Sequence, residues 1–282
     1  MRERLRYILL TVILFGTEYL IALFGSGYIR GYLGDVLVIP LIYFAARAVF
    51  WKKDSIFSAY VLPLLIYVLG WVTELLQYLR LGEILHLKPG SAAAVILGST
   101  ADIKDIICYL SGLYLIGIYL LIESRILKND NGWYPLACFI QWTWGNIQTT
   151  GGSIMYLIYL NCPHRYYHGV IRTYWPLQSG LSVGQFIFTP QVPSEDDMSE
   201  SAREKREWSE KMAVHEFGHT LQSLLLGPLY LIVIGIPSLS WGLLPVFRKL
   251  RDNKDIRYTD LFCEKWASDW GEIITKEEAL RT

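Results

Sequence analysis

The chain has 282 residues, enough for two modest domains. Hydrophobic residues make up 52% and charged residues 18%, against about 45–50% and about 25% in average soluble chains, so the composition leans towards a membrane protein. Lys+Arg and Asp+Glu are each 26, and a net charge of zero excludes the basic excess that a nucleic-acid partner calls for.

Four apolar spans come first, at about 7–24, 36–51, 57–79 and 106–122. Their lengths suit a hydrocarbon core about 30 Å thick crossed at about 1.5 Å per residue. The first follows MRERLR. It reads as a membrane helix and not as a signal peptide, because no small-residue cleavage site follows promptly and further apolar spans do. Arg47 stands near the end of the second span, where it can snorkel to the interface. Arg2, Arg4 and Arg6 precede the first span, Lys52 and Lys53 separate the second from the third, and Arg125 and Lys128 follow the fourth. The positive-inside rule then puts the N-terminus in the cytoplasm, a bias reduced by Arg30, Arg80, Lys88 and Lys104 in the other loops.

After Asn129-Asp130-Asn131-Gly132, a turn-rich linker, the character changes. Positions 133–160 are apolar but interrupted by Gln141, Asn146, Gln148, Thr149 and Thr150, which fits a fifth span, a re-entrant pair or an interfacial helix. The runs YYHGVIRTYW and LSVGQFIFTP are β-rich and separated by PLQSG, which predicts a β-hairpin. Positions 199–225 read as one helix, charged at first and apolar later, stopped by Gly227-Pro228. An apolar run at 229–247 contains Pro237 and Pro245, which disfavour a straight span. A polar segment, a short helix at about 259–271 and a charged tail complete the chain. The fold class expected is mainly α: an N-terminal polytopic membrane bundle of about four spans over 1–128, then an α+β zincin-like domain over 133–282 with a small hairpin.

The predicted helix at 199–225 carries His215-Glu216-Phe217-Gly218-His219. Residues four apart lie one turn apart on one helix face, so His215 and His219 can bind one metal ion. In zinc hydrolases with this spacing the adjacent carboxylate, here Glu216, takes a proton from the activated water. Gly218 is expected to leave room beside the metal. A catalytic zinc needs a third protein ligand, and Glu264 in FCEKWASD is the choice, on a short helix whose aromatics can dock it against the first. Asp269 is the candidate to orient a ligand histidine. Asp260 and Glu272 are weaker ligand candidates, and His164 and His168 are more simply read as hydrogen-bonded structural histidines. The strand expected at 181–188, with Ser179 and Gly180 before it, could take up an extended peptide along its edge or be an ordinary packed strand. Cys108, Cys138, Cys162 and Cys263 form no CxxC pair, which argues against a disulfide framework or a cysteine zinc site.

The segment HEFGHTLQSLLLGPLYLIVIGIPSL resembles uncharacterised bacterial membrane proteins with a similar core, and over 165–272 the chain resembles the gluzincin class of zinc metallopeptidases. The resemblance implies His215, His219 and Glu264 as ligands of one zinc ion and Glu216 as base. That class usually has an acidic residue four positions after the ligand glutamate, where this chain has Ser268, with Asp269 one later. The first 125 residues or so resemble VanZ-like four-helix membrane proteins and a related uncharacterised family, through Gly34-Asp35, Glu74 with Gln77, Leu97-Gly98, Asp102, Asp105 and Gly112. An ionisable residue within an apolar span, such as Glu74, is a functional-site candidate, unless it merely pairs with Arg80.

The expectation is a multi-pass cell-membrane protein that is a zinc metallopeptidase, with a peptide or protein substrate, the bilayer as partner and its site on the cytoplasmic side. The alternatives are a non-catalytic VanZ-like envelope protein with a structural or vestigial metal site, and a zinc hydrolase of a non-peptide envelope substrate.

Overall fold

The structure, a computed structural model, describes residues 2–50, 58, 61–84, 86, 102–123, 134–194 and 196–281. The chain divides into two compact units, Met1–Asn131 and Gly132–Thr282.

In the first unit α1 (Arg2–Phe24), α2 (Gly34–Val49), α3 (Leu62–Tyr78) and α4 (Ile103–Ile122) pack as a bundle. A π-helical turn, Ile29–Leu33, leads directly into α2, so the second apolar span starts earlier than its composition suggests. Among the described residues three helices are long and apolar enough to cross a membrane, Glu3–Phe24, Ile29–Val49 and Ile103–Ile122, while Leu62–Tyr78 is a shorter apolar helix. Leu9, Val12, Ile13, Phe15 and Leu20 of α1 are exposed, an apolar face larger than an aqueous surface tolerates and compatible with lipid. Positions 87–101, with Leu97-Gly98, and Lys52, Lys53, Arg125 and Lys128 lie outside the described residues.

The bundle closes where small residues permit it. A Cβ at Gly112 of α4 would stand 2.5 Å from the Val36 carbonyl of α2. Its buried charges are partnered. Glu74 accepts from Tyr109 Oη at 3.0 Å and from the Asp102 amide at 3.1 Å. Glu123 accepts from Tyr7 Oη at 3.0 Å and pairs with Arg6. Arg47 does not snorkel. Its guanidinium turns inward, donating to Tyr7 Oη at 2.7 Å and to Ser58, because the neighbouring helices offer it acceptors.

The second unit begins with two short helices, α5 (Tyr134–Thr143) and α6 (Asn146–Ile158), broken at Trp144-Gly145. Residues 134–158 therefore form a helix pair, neither member long enough to cross a membrane by itself. The polar residues that interrupt this segment hold it in place. Gln141 donates to the Thr220 carbonyl at 3.1 Å, Trp142 to Gln185 Oε1 at 2.7 Å, and Gln148 to Ser223 Oγ and the Gly227 carbonyl, both at 2.9 Å. Buried amides with partners fix a unique arrangement, since any other packing would strand them.

The expected hairpin is a four-stranded mixed sheet, with β1 (His164–Tyr167), β2 (Val170–Trp175), β3 (Leu181–Val183) and β4 (Phe186–Pro190) in the order β1-β2-β4-β3. Each β-rich run folds back within itself. His168 and Gly169 both take positive φ, which suits a two-residue hairpin turn, and Gly184 at φ +64° breaks the strand expected at 181–188. The two runs then join through β2 and β4, which are parallel, Ile171 facing Phe186. This register leaves β3 at an edge.

Against the sheet lies α7 (Glu200–Leu226), capped by Ser199 Oγ, which accepts from the Ala202 amide at 3.2 Å. Phe217 and Ala213 pack on Val170 and Ile187. Arg172 of β2 is buried and reaches α7, donating to the Ser209 carbonyl and hydroxyl, both at 2.9 Å, and to Glu210 at 2.6 Å. Gly227, at φ +53°, ends the helix against the indole of Trp144. The run at 229–247 is no straight span. A π turn, Leu231–Gly235, leads into α8 (Ile236–Leu243), bent by 118° from α7, and α9 (Pro245–Lys254) follows. Pro237 follows the π turn within the helical run Leu231–Leu243, and Pro245 opens α9, where a missing N–H costs nothing. The last helix, α10 (Phe262–Thr275), lies along α7.

Candidate metal centre

The site is made where α7 and α10 touch. A Cβ on Gly218 would come within 1.8 Å of the Ala267 carbonyl, and one on Gly271 within 2.2 Å of the Val214 carbonyl. The two backbones thus approach as closely as glycine permits. Gly218 serves this contact, not space beside a metal as its place in the motif suggests. His215 and His219, four residues apart, share one face of α7, and both imidazoles lie on the side where α10 presents Glu264.

His215 Nε2 lies 3.1 Å and His219 Nε2 3.3 Å from the same oxygen, Glu264 Oε2. One donor atom from each of the three residues falls within 4.8 Å of the others, and all three residues are buried, a group that could hold a metal ion. The far side of each ring is fixed. Ser268 Oγ donates to the Leu280 carbonyl at 3.3 Å, so it accepts from His215 Nδ1 at 2.9 Å. Gln222 Nε2 donates to the Cys263 carbonyl at 2.8 Å, so its Oε1 accepts from His219 Nδ1 at 2.8 Å. With both Nδ1 atoms protonated, the neutral rings turn their Nε2 lone pairs towards a carboxylate oxygen. Three lone-pair donors converging out of water repel unless a cation lies among them.

A proton can be that cation. Burial lowers His215, and burial also opposes charge on His219, but the facing Glu264 and Glu216 carboxylates outweigh it and push His219 up to about 9. Burial works against the Glu264 anion too, yet the two imidazoles hold it well below the usual carboxylate range. Glu216 is pushed up to about 8, chiefly by burial. A Cβ at Gly180 would stand 2.0 Å from Glu216 Oε1, so the glycine before β3 is what leaves this carboxylate free.

The other residues weighed as ligands lie elsewhere. Asp269 turns to Arg281 at 2.8 Å, and Ser268 occupies the place beside His215, because a helix position one residue on is rotated by about 100°. Glu272 also pairs with Arg281, at 2.6 Å, and Asp260 with Arg257, at 3.0 Å. His164 bonds Thr173 Oγ1 at 2.9 Å and the Leu160 carbonyl at 3.2 Å, and His168 lies 3.8 Å from Glu277. The sequence marks Ser268 only as a departure from the class pattern and Gly180 only as room for an extended peptide, and it assigns Gln222 no role. Only the register of His-Glu-x-x-His-x-x-Gln hints at Gln222, one turn after His219.

A cavity of about 670 Å³ opens beside the donors, lined by Gly180 to Val183 and by Tyr230 and Tyr258. Burial raises both phenols.

Comparison with known proteins adds to the first unit alone. The family model described as "Protein of unknown function (DUF2809)" matches residues 24–113. No curated protein and no solved structure matches the chain.

Proposed function

We propose that the second unit is a zinc-dependent peptidase of gluzincin-like design, held at a cell membrane by the helices of the first. The observation that carries this reading is the convergence of His215 Nε2, His219 Nε2 and Glu264 Oε2 with both Nδ1 atoms already used. Two imidazoles and a carboxylate suit zinc and leave a fourth position open. A zinc ion held there would supply Lewis acidity and lower the pKa of water to about 7.

The chain's own residues account for the rest. Glu216, adjacent in sequence and not itself in the donor trio, is placed to take the proton of the attacking water and pass it to the leaving amine. Its raised pKa of about 8 without metal falls once a cation stands near, which makes it a base at neutral pH. Edge strand β3 lines the same cavity, so a substrate backbone can extend the sheet next to the donors. The basic segments around the apolar helices favour the cytoplasmic side for the site.

In the decisive experiment the full chain is purified in detergent and loaded with zinc. Wild type is expected to hold one zinc per chain and to cleave peptides. Glu216→Gln is expected to keep the zinc and to lose activity by about 10²–10⁴-fold, the usual contribution of a general base. Full activity in that variant removes Glu216 from the mechanism, and a wild type that takes up no zinc removes the whole reading.

The buried Glu74 favours one second reading. In it the chain is a non-catalytic, VanZ-like envelope protein whose first unit does the work, and the histidines form a structural or vestigial metal site.

A further inference from the structure

The cavity beside the donors is far larger than a metal ion and a water require, and most of its wall is apolar. Trp208 and Met212 of α7 form part of it, with Leu231, Leu239 and Leu243. Those three leucines are also 37%, 53% and 75% exposed. They therefore both line the cavity and rim its mouth. Around them Leu229, Ile232, Val233 and Ile236 are exposed as well. The bent pair Glu200–Leu229 and Leu231–Leu243 is, taken together, long and apolar enough to enter a bilayer. An apolar mouth set in an apolar face is a liability in water and an entrance in hydrocarbon.

Two glycines keep this part of the cavity open. Gly235 and Gly242 line it seven residues apart, a spacing that returns to the same helix face. Neither is required by the backbone. Gly235 is helical at φ −60°, ψ −51°, and Gly242 lies inside α8. Neither is required by packing. A Cβ would meet nothing nearer than 3.7 Å at Gly235 and 3.5 Å at Gly242. Glycine in a helix gives up stability for nothing local, so its benefit here is the space.

We infer, resting on the peptidase reading, that this apolar arm receives a bulky apolar residue of a bilayer-embedded peptide segment, admitted sideways through the leucine rim, and that Gly235 and Gly242 set the size of side chain accepted. A peptide fits better than an acyl chain because β3 lines the same cavity. A strand edge offers hydrogen bonds that only a backbone can use.

The test uses the full chain in lipid nanodiscs and variants Gly242→Leu and Gly242→Ala. Two fluorogenic peptides differ only in carrying Trp or Ala beside the scissile bond. Wild type should prefer the Trp peptide in kcat/KM. Gly242→Leu should lower kcat/KM for the Trp peptide by about tenfold or more, the scale on which a filled pocket discriminates. It should lower that for the Ala peptide far less, so that the Trp/Ala ratio falls, and leave the zinc content unchanged, with Gly242→Ala in between. An unchanged Trp/Ala ratio overturns the inference. A second measurement does not need turnover. In Glu216→Gln, a peptide carrying benzoylphenylalanine is photo-crosslinked and the adduct mapped. Labelling within 231–243 that Gly242→Leu abolishes supports the arm even if no peptide is cleaved, in which case the peptidase reading alone fails. Cleavage without such labelling overturns the arm alone. Capture of a diazirine-bearing phospholipid chain in place of the peptide overturns the choice of occupant.

Discussion

Both units bury charge among helices, but they close their polar networks differently. In the first, every buried carboxylate described above meets donors. Glu123 faces Arg6 and the Tyr7 hydroxyl, and Glu74 takes a phenol and a backbone amide. Such contacts hold helices in register. In the second, Glu264 faces two imidazole nitrogens whose ring partners have already fixed them as acceptors. That network needs a cation at its centre, which its own side chains supply only when His219 takes up a second proton. The difference separates polar groups that serve the fold from polar groups that await something, and it does so without reference to any motif.

Removing one carboxylate from each unit breaks the contrast if it is wrong. Glu264→Ala takes away a third of the proposed donor set, so stoichiometric zinc should be lost on dialysis while the first unit's melting is unchanged. Glu123→Ala should do the opposite. It leaves the half-buried Arg6 without its anion and the Tyr7 hydroxyl without its acceptor, at a cost of about 1–3 kcal/mol, read by chemical denaturation in detergent, with zinc content intact. Loss of zinc in Glu123→Ala, or retention in Glu264→Ala, would remove the distinction.

Ser268→Ala sharpens the comparison within the site. The hydroxyl fixes the His215 tautomer, and deleting such a support weakens metal binding by about 10–100-fold. Titration with a zinc chelator measures it, and an affinity equal to wild type would mean that the ring is held by packing alone.

Protons test the missing cation directly. His219, pushed up to about 9, carries a proton in the metal-free protein at neutral pH, and zinc must displace it. Apparent zinc affinity should therefore rise by about tenfold per pH unit between about pH 7 and 9 and then level off. Calorimetry in buffers of different ionisation enthalpy should show between about one and two protons released per zinc at pH 7.5, one from His219 and most of one from Glu216. A pH-independent affinity would place the proton elsewhere.

The parts of this molecule legible in the sequence are those whose signal is local. Ser199 and Gly227 bracket α7 within a residue or two, and the four-residue spacing of the histidines fixes their common face. Glu264 comes from another helix, so no spacing marks it; the need for a third ligand, a short helix with docking aromatics and the class resemblance point to it together. The sheet differs from the expected hairpin because its turns lie inside the β-rich runs, at His168-Gly169 and Gly184, while the more conspicuous Pro176–Gly180 segment carries the chain across to the edge strand. Gln141 and Gln148 looked like interruptions of an apolar helix. Their role depends on residues some 80 positions away, Thr220, Ser223 and Gly227, and no local pattern shows that.

Asp269 is the sharpest case of one position mattering. An acidic residue near this place suggests a partner for a ligand histidine, yet on α10 the carboxylate points to Arg281 at 2.8 Å, with both side chains about 40% exposed. An exposed pair of this kind contributes about 0–1 kcal/mol, and Arg281 keeps Glu272 as a second partner at 2.6 Å. Asp269→Asn should therefore lower stability by less than about 1 kcal/mol and leave zinc affinity and any hydrolysis within error of wild type. A loss comparable with that of Ser268→Ala would show that the charge of Asp269 reaches His215 after all, and that the role of the hydroxyl is shared with the residue beside it.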